Sequence, residues 1–129
     1  MSRVVLDASS LLALLRTEEG APRVAESLVG AAISTVNLAE VVGVLARDGV
    51  SERDIRTMLD GLRAERVPFD SDLAFRAGLL LPFTRSVGLS FGDRACLALA
   101  GRLGIKALTA DRSWSRIADS VGVAVELIR

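Results

Sequence analysis

Four acidic residues flank the predicted secondary structure of a 129-residue chain that contains no histidine. Asp7 and Asp111 each follow a short apolar run with the character of a buried strand, and Glu40 and Asp93 fall in the first turn of predicted helices. In an open α/β sheet, the carboxyl ends of the strands and the helix starts that follow them open onto one edge. We therefore expect the four carboxylates to meet in one cleft.

Carboxylates are the catalytic groups that this composition leaves. Without histidine there is no Ser-His-Asp or Cys-His nucleophile system, no histidine base for metal-free RNA cleavage and no imidazole ligand for zinc. The single lysine, Lys106, lies outside any P-loop pattern. Clustered carboxylates repel one another unless they take up protons or bind a hard cation such as Mg²⁺ or Mn²⁺. Such an ion activates water and neutralises charge on phosphate, so the composition favours metal-dependent phosphodiester hydrolysis.

Each acid also has a structural explanation. Asp7 can cap the helix that follows it, and the last of the four acids can hold a turn. Glu40 stands three residues after Asn37, and Asp93 three residues after Ser90, which is the spacing of a capping box. Four independent caps have no reason to lie at one edge of a sheet, so their joint placement favours a site.

Composition limits the other classes. The length fits one domain spanning residues 1–129. Sixteen basic residues balance sixteen acidic ones, so any contact with RNA has to be local. Cys96 is the only cysteine and falls on the apolar face of a predicted helix, which excludes a disulfide framework and favours a cytoplasmic protein. No apolar run is long enough to predict a membrane span or a complete signal peptide.

Strands and helices are predicted to alternate along the chain. The segment 67–69 contains Pro68, which cannot donate to a central ladder, so we expect an edge strand there. The alternation predicts an α/β fold with a central, mostly parallel sheet of about four to five strands flanked by helices. The predicted strands are 3–7, 31–34, 67–69, 106–109 and 123–127, and the predicted helices are near 11–15, 22–29, 37–48, 51–62, 70–82, 90–103 and 114–118.

Four segments resemble, in order, the signature blocks of PIN-domain ribonucleases. They are VVLDASS at 4–10, NLAEV at 37–41, LSFGDRACLALA at 89–100 and LTAD at 108–111. The resemblance covers essentially the whole chain, and within the family it is closest to the VapC toxins of VapBC toxin–antitoxin pairs. It implies a PIN-like three-layer sandwich and a Mg²⁺-dependent endoribonuclease toxin that cleaves cellular RNA with metal-activated water and inhibits translation and growth.

The resemblance also implies roles for particular residues. Asp7 and Asp93 would be the principal Mg²⁺ ligands, with Mn²⁺ as a possible substitute. Asp111 would be a third acid on the metal or its waters, and Glu40 would position a water or a second ion. Thr109 would hydrogen-bond a carboxylate or the attacking water.

Four further residues lie in or near these blocks. Three of them could have either a functional or a structural role, and the fourth is interpreted as structural. Ser9 either orients the Asp7 carboxylate or caps a helix. Arg94 and Arg112 either contact RNA phosphate or form surface ion pairs, and we favour the ion pairs. Trp114 is interpreted as a packing residue.

The family resemblance implies partners as well. They are a cognate VapB-like antitoxin that enters the active-site groove, an RNA substrate and a second copy of the chain in a homodimer, which can join a larger complex with the antitoxin. DNA would be contacted only through the antitoxin, and no membrane is expected. The alternative is a non-catalytic PIN-fold interaction or RNA-binding module, which the neutral net charge favours. A phosphoacceptor receiver domain fits the length but requires an acidic pair where Asp7 stands alone.

Overall fold

The computed structural model describes residues 3–129, in which five short strands form one parallel sheet. The order across the sheet is β3-β2-β1-β4-β5, and every neighbouring pair is parallel. The α/β prediction is therefore confirmed. The strands are β1 (Val4–Leu6), β2 (Ala32–Ser34), β3 (Glu65–Val67), β4 (Lys106–Thr109) and β5 (Val125–Leu127).

Eight α-helices and two short 3₁₀ turns lie between and beside these strands in the described part of the chain. Side chains cap three of the helices that begin near the predicted starts, namely Ser51, Asp70 and Ser90. The helices are α1 (Ala8–Leu15), α2 (Ala21–Ser27), α3 (Thr35–Arg47), α4 (Glu52–Asp60), α5 (Ser71–Leu79), α6 (Leu81–Thr84), α7 (Phe91–Leu103) and α8 (Ala118–Val121), and the 3₁₀ turns are Arg85–Val87 and Arg112–Arg116.

The sheet is covered on both faces because its central strand is apolar at every position. Val5 enters a core formed with α5, α7 and the buried indole of Trp114, which confirms the packing role of that tryptophan. Val4 and Leu6 point to the opposite face, where α1 to α4 supply the packing residues. This is the three-layer arrangement that a parallel sheet requires.

The strand order reverses beside β1. The chain runs outward from β1 through β2 to β3 and then returns to place β4 on the other side of β1. Ligands bind to folds of this kind in the crevice at the carboxyl ends of the strands on either side of such a switch point. The backbone therefore places its natural crevice where Asp7 follows β1 and Asp111 follows β4.

Several predicted boundaries are wrong. The edge strand β3 ends at Val67 rather than including Pro68 and Phe69, because proline ends the ladder. The helix predicted up to Pro82 ends at Leu79, and Pro82 instead lies in the first turn of α6. The last predicted strand starts at Val125, two residues later than expected.

The start of α3 has the largest consequence for the site. The helix was predicted to begin near Asn37, but Ser34 caps it by accepting a hydrogen bond from the Val36 amide at 3.2 Å. Helix α3 therefore begins at Thr35, and Glu40 lies in its second turn rather than its first.

Among the helices of residues 3–129, none is long and apolar enough to cross a bilayer.

Candidate active site

Asp7 lies at the carboxyl end of β1, beside the switch point of the sheet. It leaves β1 as the N-cap of α1, and its Oδ1 accepts a hydrogen bond from the Ser10 amide at 2.8 Å. The Thr109 hydroxyl donates to Oδ2 at 2.6 Å, and the Ser9 hydroxyl lies 2.8 and 2.9 Å from the two carboxylate oxygens. Only 3% of Asp7 is exposed. The residue thus caps a helix and also presents a buried carboxylate to the crevice.

Two hydroxyls join the ends of β1 and β4. The Ser9 hydroxyl accepts a hydrogen bond from the Ala110 amide at 2.9 Å, and the Thr109 hydroxyl accepts one from the Asp111 amide at 3.0 Å. Each hydroxyl therefore uses its proton on Asp7 and its lone pair on the loop after β4. Ser9 orients Asp7, and the cap of α1 is Asp7 itself.

Asp93 lies in the first turn of α7. Its Oδ2 accepts a hydrogen bond from the Ser90 amide at 2.9 Å, while its own amide donates to the Ser90 hydroxyl at 3.2 Å. This reciprocal pair is the capping box expected from the spacing. Asp111 is exposed and caps the following 3₁₀ turn, accepting hydrogen bonds from the amide and the hydroxyl of Ser113 at 2.9 and 2.7 Å.

Glu40 reaches the same place from α3. Its Oε1 accepts a hydrogen bond from Asn37 Nδ2 at 2.7 Å, so the pair is a contact within the helix and not the capping box expected from the sequence. Its carboxylate lies against the backbone of Gly92, where a Cβ would overlap it. Gly92 immediately precedes Asp93, so Glu40 is brought to the start of α7.

The charges of three of the acids act on one buried thiol, and the charge of the fourth acts on Asp93. Burial raises the pKa of Asp7, although hydrogen bonds from Thr109, Ser10 and Ser9 oppose the shift. Burial also raises the pKa of Asp93, and the negative charge of Asp111 adds to the effect. Beneath them, burial raises the pKa of the Cys96 thiol well above its ordinary value, and the charges of Asp7, Asp93 and Glu40 raise it further. This thiol is buried and inert, as expected.

No positive side chain balances this cluster in the part of the chain that the structure describes. The ion pairs within residues 3–129 all involve other acids. Each of the four carboxylates instead takes its hydrogen bonds from neighbouring amides and hydroxyls. Within the same residues, no group of three or more His, Cys, Asp or Glu side chains is arranged to hold one metal ion. The acids are therefore neighbours, but they do not form a preassembled ligand cage.

The donor set nevertheless fits a hard divalent cation. Mg²⁺ prefers oxygen ligands and usually keeps several waters, so that one or two carboxylates are enough to hold it. Asp7 and Asp93 supply such carboxylates, and burial raises the pKa of each with no cationic side chain of residues 3–129 opposing the shift. A divalent ion would remove this penalty.

The two arginines beside the acids behave differently from expectation. Arg94 donates to the Ala77 carbonyl at 3.1 Å, and its guanidinium lies over the Phe91 ring, 5.8 Å from the centroid. Arg94 therefore binds a carbonyl in the last turn of α5, and it does not form the surface ion pair that we favoured. Arg112 is exposed next to Asp111, and it too forms no ion pair within residues 3–129.

Two contributors were missed from the sequence, Asn37 as a bridge to α7 and Gly92 as the surface on which Glu40 lies. Their signals were present. The amide of Asn37 precedes Glu40 by three residues, and a glycine is an unfavourable choice in a helical turn unless space or backbone conformation requires it.

The chain was compared with known proteins. Residues 4–120 match the family model described as the PIN domain, whereas no curated protein matches. A DNA-bound VapBC structure from Salmonella typhimurium is similar with a TM-score of 0.77 and 20% identity over 100% of both chains. VapBC2 from Rickettsia felis bound to a promoter DNA fragment is similar with a TM-score of 0.72 and 19% identity over 97% of this chain and 98% of that one.

A third similar structure is VapBC-5 from Mycobacterium tuberculosis, a member of the VapBC family of toxin–antitoxin systems. It is 26% identical over 100% of this chain and 99% of that one, with a TM-score of 0.61. These likenesses support the fold, while the family model covers most of the chain and includes the segments that carry all four acids. The chain therefore belongs to the PIN domain family.

Proposed function

We propose that this protein is a metal-dependent endoribonuclease, the toxin of a VapBC-type toxin–antitoxin pair, which cleaves cellular RNA and thereby inhibits translation and growth. One observation carries the proposal. The carboxylate of Asp7 is buried at the switch point of the sheet without a cationic partner in residues 3–129, and the charges of Asp93 and Glu40 act on the same buried Cys96 thiol as its own. Asp7 caps α1, but an uncharged side chain could do the same without burying a carboxylate, so the burial of this charge favours a functional explanation.

Asp7 and Asp93 are the residues that would hold Mg²⁺, with Mn²⁺ as a substitute, and Glu40 and Asp111 would act on its waters. When bound, the ion supplies the positive charge that lowers the pKa of an attacking water and neutralises the phosphate. Thr109 and Ser9 hold the Asp7 carboxylate in one orientation through their hydroxyl protons. The exposed Arg112 offers a guanidinium to RNA phosphate beside Asp111.

The proposed partners follow from the similar structures, several of which are VapBC toxin–antitoxin complexes, two of them with DNA. The cognate partner is a VapB-like antitoxin, through which alone the complex contacts DNA. The toxin is a cytoplasmic homodimer. Apolar side chains exposed on α5 and α6, including Phe75, Leu79 and Phe83, provide surface for protein partners.

The test is cleavage of cellular RNA with Mg²⁺ by Asp7→Asn and Asp93→Asn, together with growth after expression. Each variant should lose about 100-fold or more of the cleavage rate, because the metal supplies several kcal/mol of transition-state stabilisation, and each should relieve growth arrest. Asp60→Asn, a change at an exposed acid of α4 outside the cluster, is the control and should cleave normally. Undiminished cleavage by both site variants would reject the proposal.

A second candidate is a non-catalytic PIN-fold module that binds RNA or protein. It is favoured by the zero formal net charge and by the local hydrogen bonds that already occupy each carboxylate. Such a protein would bind RNA with equal affinity in Mg²⁺ and in chelator, and would leave the RNA intact.

A further inference from the structure

The Glu40 carboxylate is held in place by contacts with other residues rather than by the helix from which it projects. It is exposed in the second turn of α3, where an unrestrained glutamate side chain samples several rotamers. In the structure its carboxylate is instead confined by two residues that are distant from each other in sequence, the Asn37 amide and the Gly92 backbone.

The Asn37 amide bridges two helices. It is 1% exposed, and its Nδ2 donates both to Glu40 Oε1 at 2.7 Å and to the Gly92 carbonyl at 2.9 Å. Both partners can only accept hydrogen bonds. A flip of the amide that exchanged Nδ2 and Oδ1 would place Oδ1 against two other oxygens, which fixes the orientation of the side chain. Its Oδ1 is buried without a hydrogen-bond partner in the described residues. Burying an amide oxygen without a partner is unfavourable, so the presence of asparagine here points to a need for the two hydrogen bonds that its Nδ2 donates.

Gly92 is a glycine for reasons of space. It is buried in the first turn of α7, and it is absent from the glycines with positive φ, so its backbone conformation is open to any residue. A Cβ at this position would overlap Glu40 Oε1, Oε2 and Cδ. The carboxylate of Glu40 therefore occupies the volume that an alanine methyl group would take.

We propose that Asn37 and Gly92 are positioning residues that clamp the Glu40 carboxylate at the start of α7, and that Glu40 takes part in the acid cluster only while clamped. The clamp itself is a property of the fold, and its effect on metal binding and cleavage rests on the proposed function. Without it, the Glu40 side chain would extend into solvent from α3 and leave the start of α7.

Two variants break the clamp in different ways. Asn37→Asp keeps the shape of the side chain but replaces its two donated hydrogen bonds with repulsion between oxygens. Gly92→Ala fills the space of the carboxylate and leaves Asn37 intact, so it remains informative if the aspartate variant does not fold. Gly43→Ala is the matched control, because it makes the same change on an exposed face of α3 where a Cβ meets nothing within 4 Å.

The first measurement uses metal-free protein and the NMR signals of the Asn37 side-chain amide. Both of its protons are engaged in the wild type, so they should exchange slowly with solvent. Gly92→Ala should shift these signals and speed their exchange, while Gly43→Ala should leave them unchanged. Unchanged Asn37 signals in Gly92→Ala would overturn the clamp, whatever the protein does with metal.

The second measurement is Mg²⁺ affinity from calorimetry, followed by cleavage at saturating Mg²⁺. Asn37→Asp and Gly92→Ala should each lose roughly 10–100-fold in affinity or in rate, as expected for groups that orient a ligand. Combined with Glu40→Gln, neither should cost more than Glu40→Gln alone. Losses that simply add would show a role in stability and overturn the proposed positioning. If the wild type neither binds metal nor cleaves RNA, the proposed function fails, and the amide signals still decide the clamp.

Discussion

Carboxylates at two places on the sheet have opposite surroundings. Asp7, at the end of β1, is buried and forms no ion pair with the cationic side chains of residues 3–129, and burial raises its pKa. Glu126, on the edge strand β5, accepts hydrogen bonds from Arg23, with Nη2 at 3.0 Å, and from Lys106, with Nζ at 2.7 Å. These bonds lower its pKa from 4.5 to about 2.

The two carboxylates have opposite effects on the stability of the fold. Ionised Glu126 is better stabilised in the folded protein than in the unfolded chain, so it contributes to the free energy of unfolding at neutral pH. Ionised Asp7 is less well stabilised in the folded protein, so its charge opposes folding. Residues that oppose folding persist where activity needs them, and the acid cluster fits that description.

The largest effect expected from this contrast is on metal binding. If Mg²⁺ binds only the folded protein, a concentration about 100 times its dissociation constant should add roughly 2.7 kcal/mol to the free energy of unfolding. Thermal melts with and without Mg²⁺ or Mn²⁺ measure the shift. Asp93→Asn should abolish it, and Glu126→Gln should retain it. If neither metal changes the melting temperature of the wild type, the protein has no metal site at these acids.

The second effect concerns the metal-free stability of Asp7→Asn. The amide oxygen of the variant can replace Oδ1 and keep the hydrogen bond from the Ser10 amide. Its NH₂ group then takes the place of Oδ2, where the Thr109 hydroxyl can accept a hydrogen bond from it instead of donating one, and the buried charge disappears. We expect the variant to be more stable than the wild type at pH 7, because burial raises the pKa of Asp7 and the variant no longer buries the charged form. Urea unfolding in chelator measures this difference.

The pH dependence of that difference follows from the raised pKa of Asp7. Below its ordinary value of 3.8, the carboxyl group is protonated in both the folded and the unfolded chain, so the advantage of the variant should vanish. It should grow as the pH rises above 3.8. A variant that is less stable than the wild type at neutral pH would show that the carboxylate supports the fold.

The smallest effect has the opposite sign. Glu126→Gln should lower the free energy of unfolding at pH 7 by roughly 0.5–1 kcal/mol, because the ion pairs are partly exposed and solvent screens them. The loss should be full above pH 4.5 and should shrink as the pH falls towards 2, where Glu126 of the wild type takes up a proton. Glu19→Gln, at an exposed acid, is the control and should change stability by less than about 0.5 kcal/mol.

Local signals in the sequence located most of the elements. The helix starts predicted near residues 51, 70 and 90 are close to those observed, because the side chains of Ser51, Asp70 and Ser90 cap amides only two or three residues away. The apolar runs at β1 and β4 were identified as buried strands for a similar reason, since the burial of such a run depends on its own side chains. Boundaries failed where neighbouring elements compete, as at Ser34, which ends β2 and caps α3.

By itself, the sequence determined that carboxylates are the candidate reactive groups and that Asp7 and Asp111 follow buried strands, because both conclusions depend on residue type and short spacing. Tertiary structure decided which atoms these acids meet. The pairing of β1 with β4 brings the Thr109 hydroxyl to Asp7, and the packing of α3 on α7 joins Asn37 to Gly92 across 55 residues. Such contacts depend on how elements distant in sequence pack together, which no local pattern of residues specifies.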